Sequence, residues 1–297
     1  MKKNNGIISS YDLQRPAVRL GYALIWVFLI LVLLVCLLPI LWIMFNGFKD
    51  QKEFIRGVKD TATNFYYPRF LPVNFDVGNY LSTWATMKFY RYYLNSLISV
   101  VGCVVCAVVF NGLLAYGLSH LKPRGYRVVQ GLIMASLMLP ATTSMAPLFV
   151  NLTRLKLTGT FLPLWLCMGA NAFYVVLFKN FYDGMPDSLL EAARLDGCSD
   201  LQMFLRIVLP LSMPINMVIV IYAVNAAWSD FLLPYLVLNG TRLETVMVRL
   251  FTYRTSDRIK DIEIIRAIVF SLLPPVILFI LFQRQITQNV MSAGIKG

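Results

Sequence analysis

The sequence is short of charge and nearly devoid of histidine. One imidazole, His120, serves all 297 residues, and Asp, Glu, Lys and Arg together make up 14% of them. That histidine sits at a predicted helix end beside Lys122 and offers no nucleophile–base pair, and no His/Asp/Glu cluster supplies a metal site. No G-x-x-x-x-G-K-[ST] loop occurs, so any ATP must be bound by another chain. Of the five cysteines, Cys36, Cys103, Cys106 and Cys167 fall inside apolar runs. The C-x-x-C at Cys103 and Cys106 therefore reads as small apolar side chains on one helical face, not as a redox pair. These absences predict a chain that is not an enzyme and has no cofactor or metal of its own.

What is abundant is apolar. Hydrophobic residues make up 58% of the chain, the mean hydropathy is +0.65, and the charges are collected between apolar runs, the pattern of a multispanning membrane protein. The net charge of +12 forms no basic face, because Lys and Arg occur in every inter-span loop. Contact with lipid headgroups explains that distribution better than nucleic acid does. Six apolar windows, at 20–48, 92–121, 128–153, 157–178, 207–240 (broken only by Asp230) and 267–283, predict an all-α integral membrane fold with six transmembrane helices. The first window is too long for a signal-peptide core and no small-residue cleavage site follows it, so an uncleaved span is expected. The chain divides into an N-terminus (1–19), a first span (20–48), an outer loop (49–91), a five-span core (92–283) and a tail (284–297). Lys2, Lys3, Arg15 and Arg19, with Lys122, Arg124 and Arg127 after the second span, place both termini in the cytoplasm. Arg154 and Lys156 pull the other way, and the long loops count for little.

Within the spans, Pro140 and Pro147 bracket Thr142, Thr143 and Ser144. Backbone groups freed by two prolines need a protein-lined or wet surrounding, so span three is expected to line a cavity. Asn225, Trp228 and Ser229 share one face of span five by i, i+3, i+4 spacing, next to Asp230. Two readings stand side by side: a substrate pathway, or helix–helix hydrogen bonds with a headgroup-level carboxylate. In the outer loop, Asp76 is placed to start an interfacial helix with Tyr80 and Trp84 on one face, either an aromatic belt or a docking surface for an external protein.

Between spans four and five lies a polar, helix-forming segment, 186–210. With Asp183 before it, it accounts for five of the fifteen acidic side chains. Ser188-x-x-Glu191 reads as a capping box, Gly197 as a left-handed stop, and Ser199-x-x-Gln202 as a second capping box whose helix runs to Pro210. The segment is thus expected to be an elbow of two helices. Its first arm is narrow at Ala192 and Ala193 and offers Leu189, Leu190 and Leu195 for apolar contact. The second arm carries Leu201, Phe204, Leu205 and Val208 on one stripe for packing against the spans.

Glu191-Ala192-Ala193-Arg194, Asp196-Gly197, Ile207-x-Leu209-Pro210 and Pro214 resemble the EAA signature of inner-membrane permeases of ABC importers, position by position. Asn95-Ser96, Ala115-Tyr116-Gly117-Leu118, Met138-Leu139-Pro140 and Ala146-Pro147-Leu148 resemble the carbohydrate branch, the maltose-type permeases. The ending Ser292-Ala293-Gly294-Ile295-Lys296-Gly297 is similar to the T-A-G-x-V-K-G tail of that branch, with Ser and Ile as departures. The resemblance implies a permease subunit in a bacterial or archaeal cytoplasmic membrane, paired with a second homologous permease. It further implies two cytoplasmic ABC ATPase subunits that hold ATP and Mg, an extracytoplasmic solute-binding protein, and a sugar substrate. Carried over, the ATPase-coupling residues are Glu191, Ala192, Ala193, Arg194, Asp196 and Gly197, and the ATPase-contacting tail includes Ser292, Ala293, Gly294 and Lys296. Thr142, Thr143, Ser144, Asn225, Trp228, Ser229 and Asp230 suit a sugar's hydroxyls and faces. A glycerol phosphate or other anionic polyol is the alternative cargo. A proton- or cation-coupled secondary transporter using Asp230, and a membrane enzyme or scaffold, rank below both.

Overall fold

The structure, a computed structural model, describes residues 16–59, 66–256 and 259–294. Its α-helices in chain order are α1 (Pro16–Asn46), α2 (Gln51–Arg56), α3 (Gly78–Thr86), α4 (Phe89–Tyr116), α5 (Tyr126–Ser136), α6 (Met145–Arg154), α7 (Leu162–Gly169) and α8 (Ala172–Tyr182). They continue as α9 (Asp187–Leu195), α10 (Asp200–Met203), α11 (Leu209–Leu211), α12 (Met213–Ser229), α13 (Leu232–Leu238), α14 (Val246–Arg254) and α15 (Asp261–Gly294). Two residue pairs, β1 (Val58–Lys59) and β2 (Tyr66–Tyr67), form an antiparallel hairpin with Val58 opposite Tyr67. The chain separates into two compact units. One holds α1, α2, the hairpin, most of α3 and the start of α15, and the other holds Trp84–Ile259 with the remainder of α15.

In the first unit, α1 is apolar around its whole circumference and buries none of its span window, as a lipid-facing helix would. The turn after it is pinned by Arg266, whose guanidinium donates to Gly47 O (2.7 Å), Lys49 O (2.7 Å) and Thr83 Oγ1 (3.0 Å). Asp76 accepts the Gly78 amide at 2.8 Å where α3 begins, as its position in the sequence suggests.

In the second unit α4 is central, packed by α7, α8 and α12. Gly102 lets α7 approach, because a Cβ there would meet the Trp165 indole at 2.2 Å. The polar residues of α4 bind loop backbone. Asn95 Nδ2 donates to Arg242 O (3.0 Å) and Glu244 O (2.9 Å), and Ser96 Oγ accepts the Val246 amide (2.9 Å), a free donor at the start of α14. Asn111 donates to Met168 O and accepts from the Asn171 amide, while Asn171 caps α8 through the Phe173 and Tyr174 amides. Together they satisfy the break between α7 and α8.

Three helical stretches are long and apolar enough to cross a membrane: Val18–Asn46, Phe89–Leu121 and Asp261–Gln283. Two bent pairs pass the same test, α7 with α8 at 41° and Asp200–Leu211 with α12 at 83°. The window 128–153, expected as one helix, is instead α5 and α6 on either side of a 3-10 turn, Ala141–Ser144. Pro140 lacks the amide that would continue α5, and its extended backbone (ψ 127°) ends the helical path. The 83° bend likewise follows from Pro210 and Pro214; Asn216 Nδ2 bonds Leu209 O (2.8 Å) there, and Ser212 Oγ joins its own amide on Val208 O (2.6 Å).

Candidate functional site

The polar segment folds as two arms around a sharp turn. Its first arm, α9, begins at Asp187 after Pro186, so Ser188 lies inside the helix and the box expected from Ser188 and Glu191 does not form. The stop at Gly197 is present, with φ +79°. The Gly197 amide donates to Arg194 O and the Cys198 amide to Ala193 O, both at 3.0 Å, the paired bonds of a Schellman turn. The second box is present. Ser199 Oγ accepts the Gln202 amide and Gln202 Oε1 accepts the Ser199 amide, opening α10. Arg194 Nη2 reaches Asp200 Oδ1 across the turn at 3.9 Å, a solvent-exposed pair of little energetic weight.

Burial divides each arm lengthwise. On α9, Leu190 and Ala193 face inward (3% and 5% exposed), while Glu191, Ala192, Arg194 and Leu195 face solvent, Leu195 at 91%. Ala193 therefore belongs to the inner face and does not join Ala192 as an outward knob. On the second arm the expected stripe splits. Phe204 and Val208 are fully buried, whereas Leu201 and Leu205 point outward. Phe204–Val208 is a π-turn, which re-aims these side chains within one turn. Phe204 enters the cluster of Tyr116, Tyr174, Phe178, Tyr182 and Ile219, with its ring 5.8 Å from that of Tyr116. The elbow is thus keyed into the bundle by one aromatic side chain, and its outer face carries the acids Glu191, Asp196 and Asp200.

Sequence reasoning passed over the joint where the elbow leaves α8. Asp183 Oδ1 accepts from Ser119 Oγ (2.6 Å), and its Oδ2 from Lys179 Nζ (2.7 Å). Burial pushes the Asp183 carboxyl up, but the bonds from Lys179 and Ser119 outweigh it and hold it below the ordinary carboxylate value. His120 Nδ1 lies 3.3 Å from Asp187 Oδ1. The one available signal was an acid at a helix C-terminus, where the macrodipole disfavours it.

The proposed pathway residues are placed unevenly. Asn225 and Ser229 are exposed on one face of α12, together with Tyr222. Trp228 does not share that face. It is 4% exposed, its ring packs on Tyr93, and its indole donates to Ser271 O at 3.0 Å. Asp230 follows the last residue of α12, half-buried, with its own amide donating to Ala226 O at 2.9 Å. Thr142, Thr143 and Ser144 are exposed on the 3-10 turn. In the tail, the backbone of α15 is helical to Gly294 and so includes Ser292 and Ala293. Lys296 lies outside the described residues.

The family described as "Binding-protein-dependent transport system inner membrane component" matches residues 80–292, a stretch that contains the whole elbow. The inner membrane ABC transporter permease protein YcjP of Escherichia coli K12 is 30% identical over 291 residues, covering 96% of this chain and 99% of the relative. The diacetylchitobiose uptake system permease protein NgcG of Streptomyces coelicolor is 28% identical over 293 residues, covering 97% and 91%. A chain of the crystal structure of a bacterial ABC transporter involved in the import of the acidic polysaccharide alginate superposes with a TM-score of 0.77 at 24% identity, covering 94% of this chain and 99% of that one, which establishes a shared fold. With these matches running through the EAA elbow and most of the chain on either side, the protein belongs to the inner membrane components of binding-protein-dependent transport systems, the permease subunits of ABC transporters.

Proposed function

We propose that this chain is the permease subunit of an ATP-driven, binding-protein-dependent importer of a sugar or oligosaccharide. The carrying observation is the elbow: a turn with its own internal bonds, anchored by Phe204, that presents Glu191 and Ala192 to solvent while burying Leu190 and Ala193. Such a part receives a push on its outer face and delivers it to the bundle through its inner one. The ATPase subunit, carrying ATP and Mg, docks on that outer face, with the tail around Ser292, Ala293, Gly294 and Lys296 as a further contact. On this reading the chain crosses the membrane six times, counting α5 and α6 as one interrupted crossing and each bent pair as one more; an even number keeps both termini and the elbow on one side, and the basic residues of the N-terminus and of the loop after the second span support the cytoplasm as that side. A second homologous permease completes the pathway, and an external solute-binding protein delivers the cargo. Asn225 and Ser229, with Thr142, Thr143 and Ser144 and with Asp230 at the end of α12, face that pathway, and Trp228 holds that end in place behind them. The sugar class is supported by NgcG, whose name specifies diacetylchitobiose uptake.

Co-purification of the ATPase with the full chain tests the reading. Glu191→Ala is expected to release the ATPase while membrane insertion and the partner permease are retained. Retention of both the ATPase and transport by Glu191→Ala and Gly197→Pro alike would sink the coupling role. Titration calorimetry of the solute-binding protein with oligosaccharides and with glycerol phosphate decides between the cargo classes.

A further inference from the structure

The link between α8 and α9 is four residues long (183–186). Gly184 N–H to Phe181 O (3.2 Å) and Met185 N–H to Tyr182 O (2.9 Å) tighten the end of α8, and Pro186 O accepts the Leu189 amide of α9 at 3.3 Å. An acid at the C-terminus of a helix opposes the macrodipole, so local preference does not account for Asp183. Contacts across the fold do. One carboxylate oxygen takes the Ser119 hydroxyl at 2.6 Å and the other takes Lys179 Nζ at 2.7 Å. Ser119 is buried and sits in a π-turn, Gly117–Leu121, that closes α4 through Lys122 N–H to Gly117 O (2.8 Å). The next residue of the same turn, His120, is 95% buried and holds Asp187, the first residue of α9, at 3.3 Å. Two successive residues at the end of α4 therefore grip the link on both sides, before it at Asp183 and after it at Asp187. A π-turn inserts a residue into the helical path and changes where the following side chains point, and such turns recur at functional sites. These groups line one cleft of about 380 Å³ together with Lys122, Tyr126, Gln130 and Met185.

We propose that Asp183 is a positioning residue. Its two-point hold on Ser119 and Lys179 fastens the end of α8 to the end of α4, and the neighbouring contact of His120 with Asp187 brings the first residue of α9 into the same joint, so that a displacement of the elbow carries α4 with it. The inference rests on the elbow being the place where the ATPase acts, and it adds a polar joint with the end of α4 to the packing of Phe204 on Tyr116. Covalent continuity alone would deliver the motion only to α8 and to α12. The Asp183 carboxylate faces Lys179 on its own helix, Ser119 and His120 on the π-turn, Lys122 beyond it, and Asp187 on α9. Of these, Lys179 and Ser119 carry the hold.

Double electron–electron resonance on the assembled complex in nanodiscs tests the proposal without knowledge of the cargo. Nitroxides are placed at Leu195→Cys on the elbow and Leu121→Cys at the end of α4, in a cysteine-free background, and measured without nucleotide and trapped with ATP and vanadate. With Asp183 intact, the distance is expected to stay within ~2 Å between the two states. Asp183→Asn is expected to match it without nucleotide and to diverge by about 5 Å, a helical turn, on trapping. A merely structural defect would shift both states, and that outcome overturns the positioning role. So does a wild-type distance that changes on trapping, or an Asp183→Asn protein that behaves like wild type. Should Asp183→Asn fail to assemble, Ser119→Ala removes one hydroxyl of the hold and carries the same expectation. ATPase co-purification and its loss in Glu191→Ala are scored on the same preparations. Failure of the elbow reading is thereby distinguished from failure of the Asp183 hold.

Discussion

Gly197 isolates a conformational cost from a packing cost. Its φ is +79°, and a Cβ built there meets no atom within 4 Å, so Gly197→Ala changes no contact. What remains is the left-handed penalty of an L-residue, about 1–2 kcal/mol. That range is roughly a 5- to 30-fold change in the population of the opened turn. The amides that report it are those of Gly197 and Cys198, bonded to Arg194 O and Ala193 O. In hydrogen exchange with mass spectrometry on the nanodisc-embedded protein, Gly197→Ala should speed exchange in a peptide covering 190–205 by that factor. Gly197→Asn should speed it less, because Asn tolerates this region better. Gly197→Pro should exceed both, since it deletes the bond to Arg194 and fixes φ near −65°. Exchange in α4 should be unaltered by the Ala variant. If Ala exchanges like Gly, or if the order Gly, Asn, Ala, Pro is not followed, the turn does not hold the arms and the argument for a rigid elbow fails.

Three further outcomes follow from the same structure. Phe204→Ala empties a fully buried site beside Tyr116 and Tyr182, at a cost of about 3–5 kcal/mol; Cys198, now half-buried, should react faster with maleimide while α1 exchange is unchanged, and an unaltered rate would remove Phe204 as the anchor. Arg266→Met leaves Gly47 O and Lys49 O without their donor, at roughly 1–3 kcal/mol for each buried acceptor; melting temperature in detergent should rank Met below Lys below Arg, because Lys restores charge but not the fork, and equal melting would count against the clamp. Asp183 has a folded value held below the ordinary 3.8, so its contribution is complete above that value and is lost as pH falls through the depressed one. Exchange protection of the link 183–186 should therefore be flat from roughly pH 5 to 8 and weaken only at more acidic pH, and a change within that window would mean that Asp183 does not govern the joint.

Sequence alone determined whatever closes within a few residues or along a continuous apolar run. The windows at 20–48, 92–121 and 267–283 became long apolar helices because backbone in lipid must satisfy itself within the helix. The Gly197 turn and the Ser199–Gln202 box were legible because donor and acceptor lie three to five residues apart. The freed backbone groups around Pro140 were legible, though not that they would split the window into two helices, and the elbow was legible as a motif. Only the tertiary structure decided which side of each element is inside. Ala193 turns in and Ala192 out, Trp228 leaves the face of Asn225, and Leu201 and Leu205 part from Phe204, because burial depends on packing against other helices, α4 among them, dozens of residues away. Ser188 lost its capping role to the register set by Pro186 and Asp187. The hold of Ser119 on Asp183 spans 64 residues, and no local pattern announces it. A bond between distant residues is chosen by the geometry of the helices that carry them, and that geometry exists only in the folded bundle.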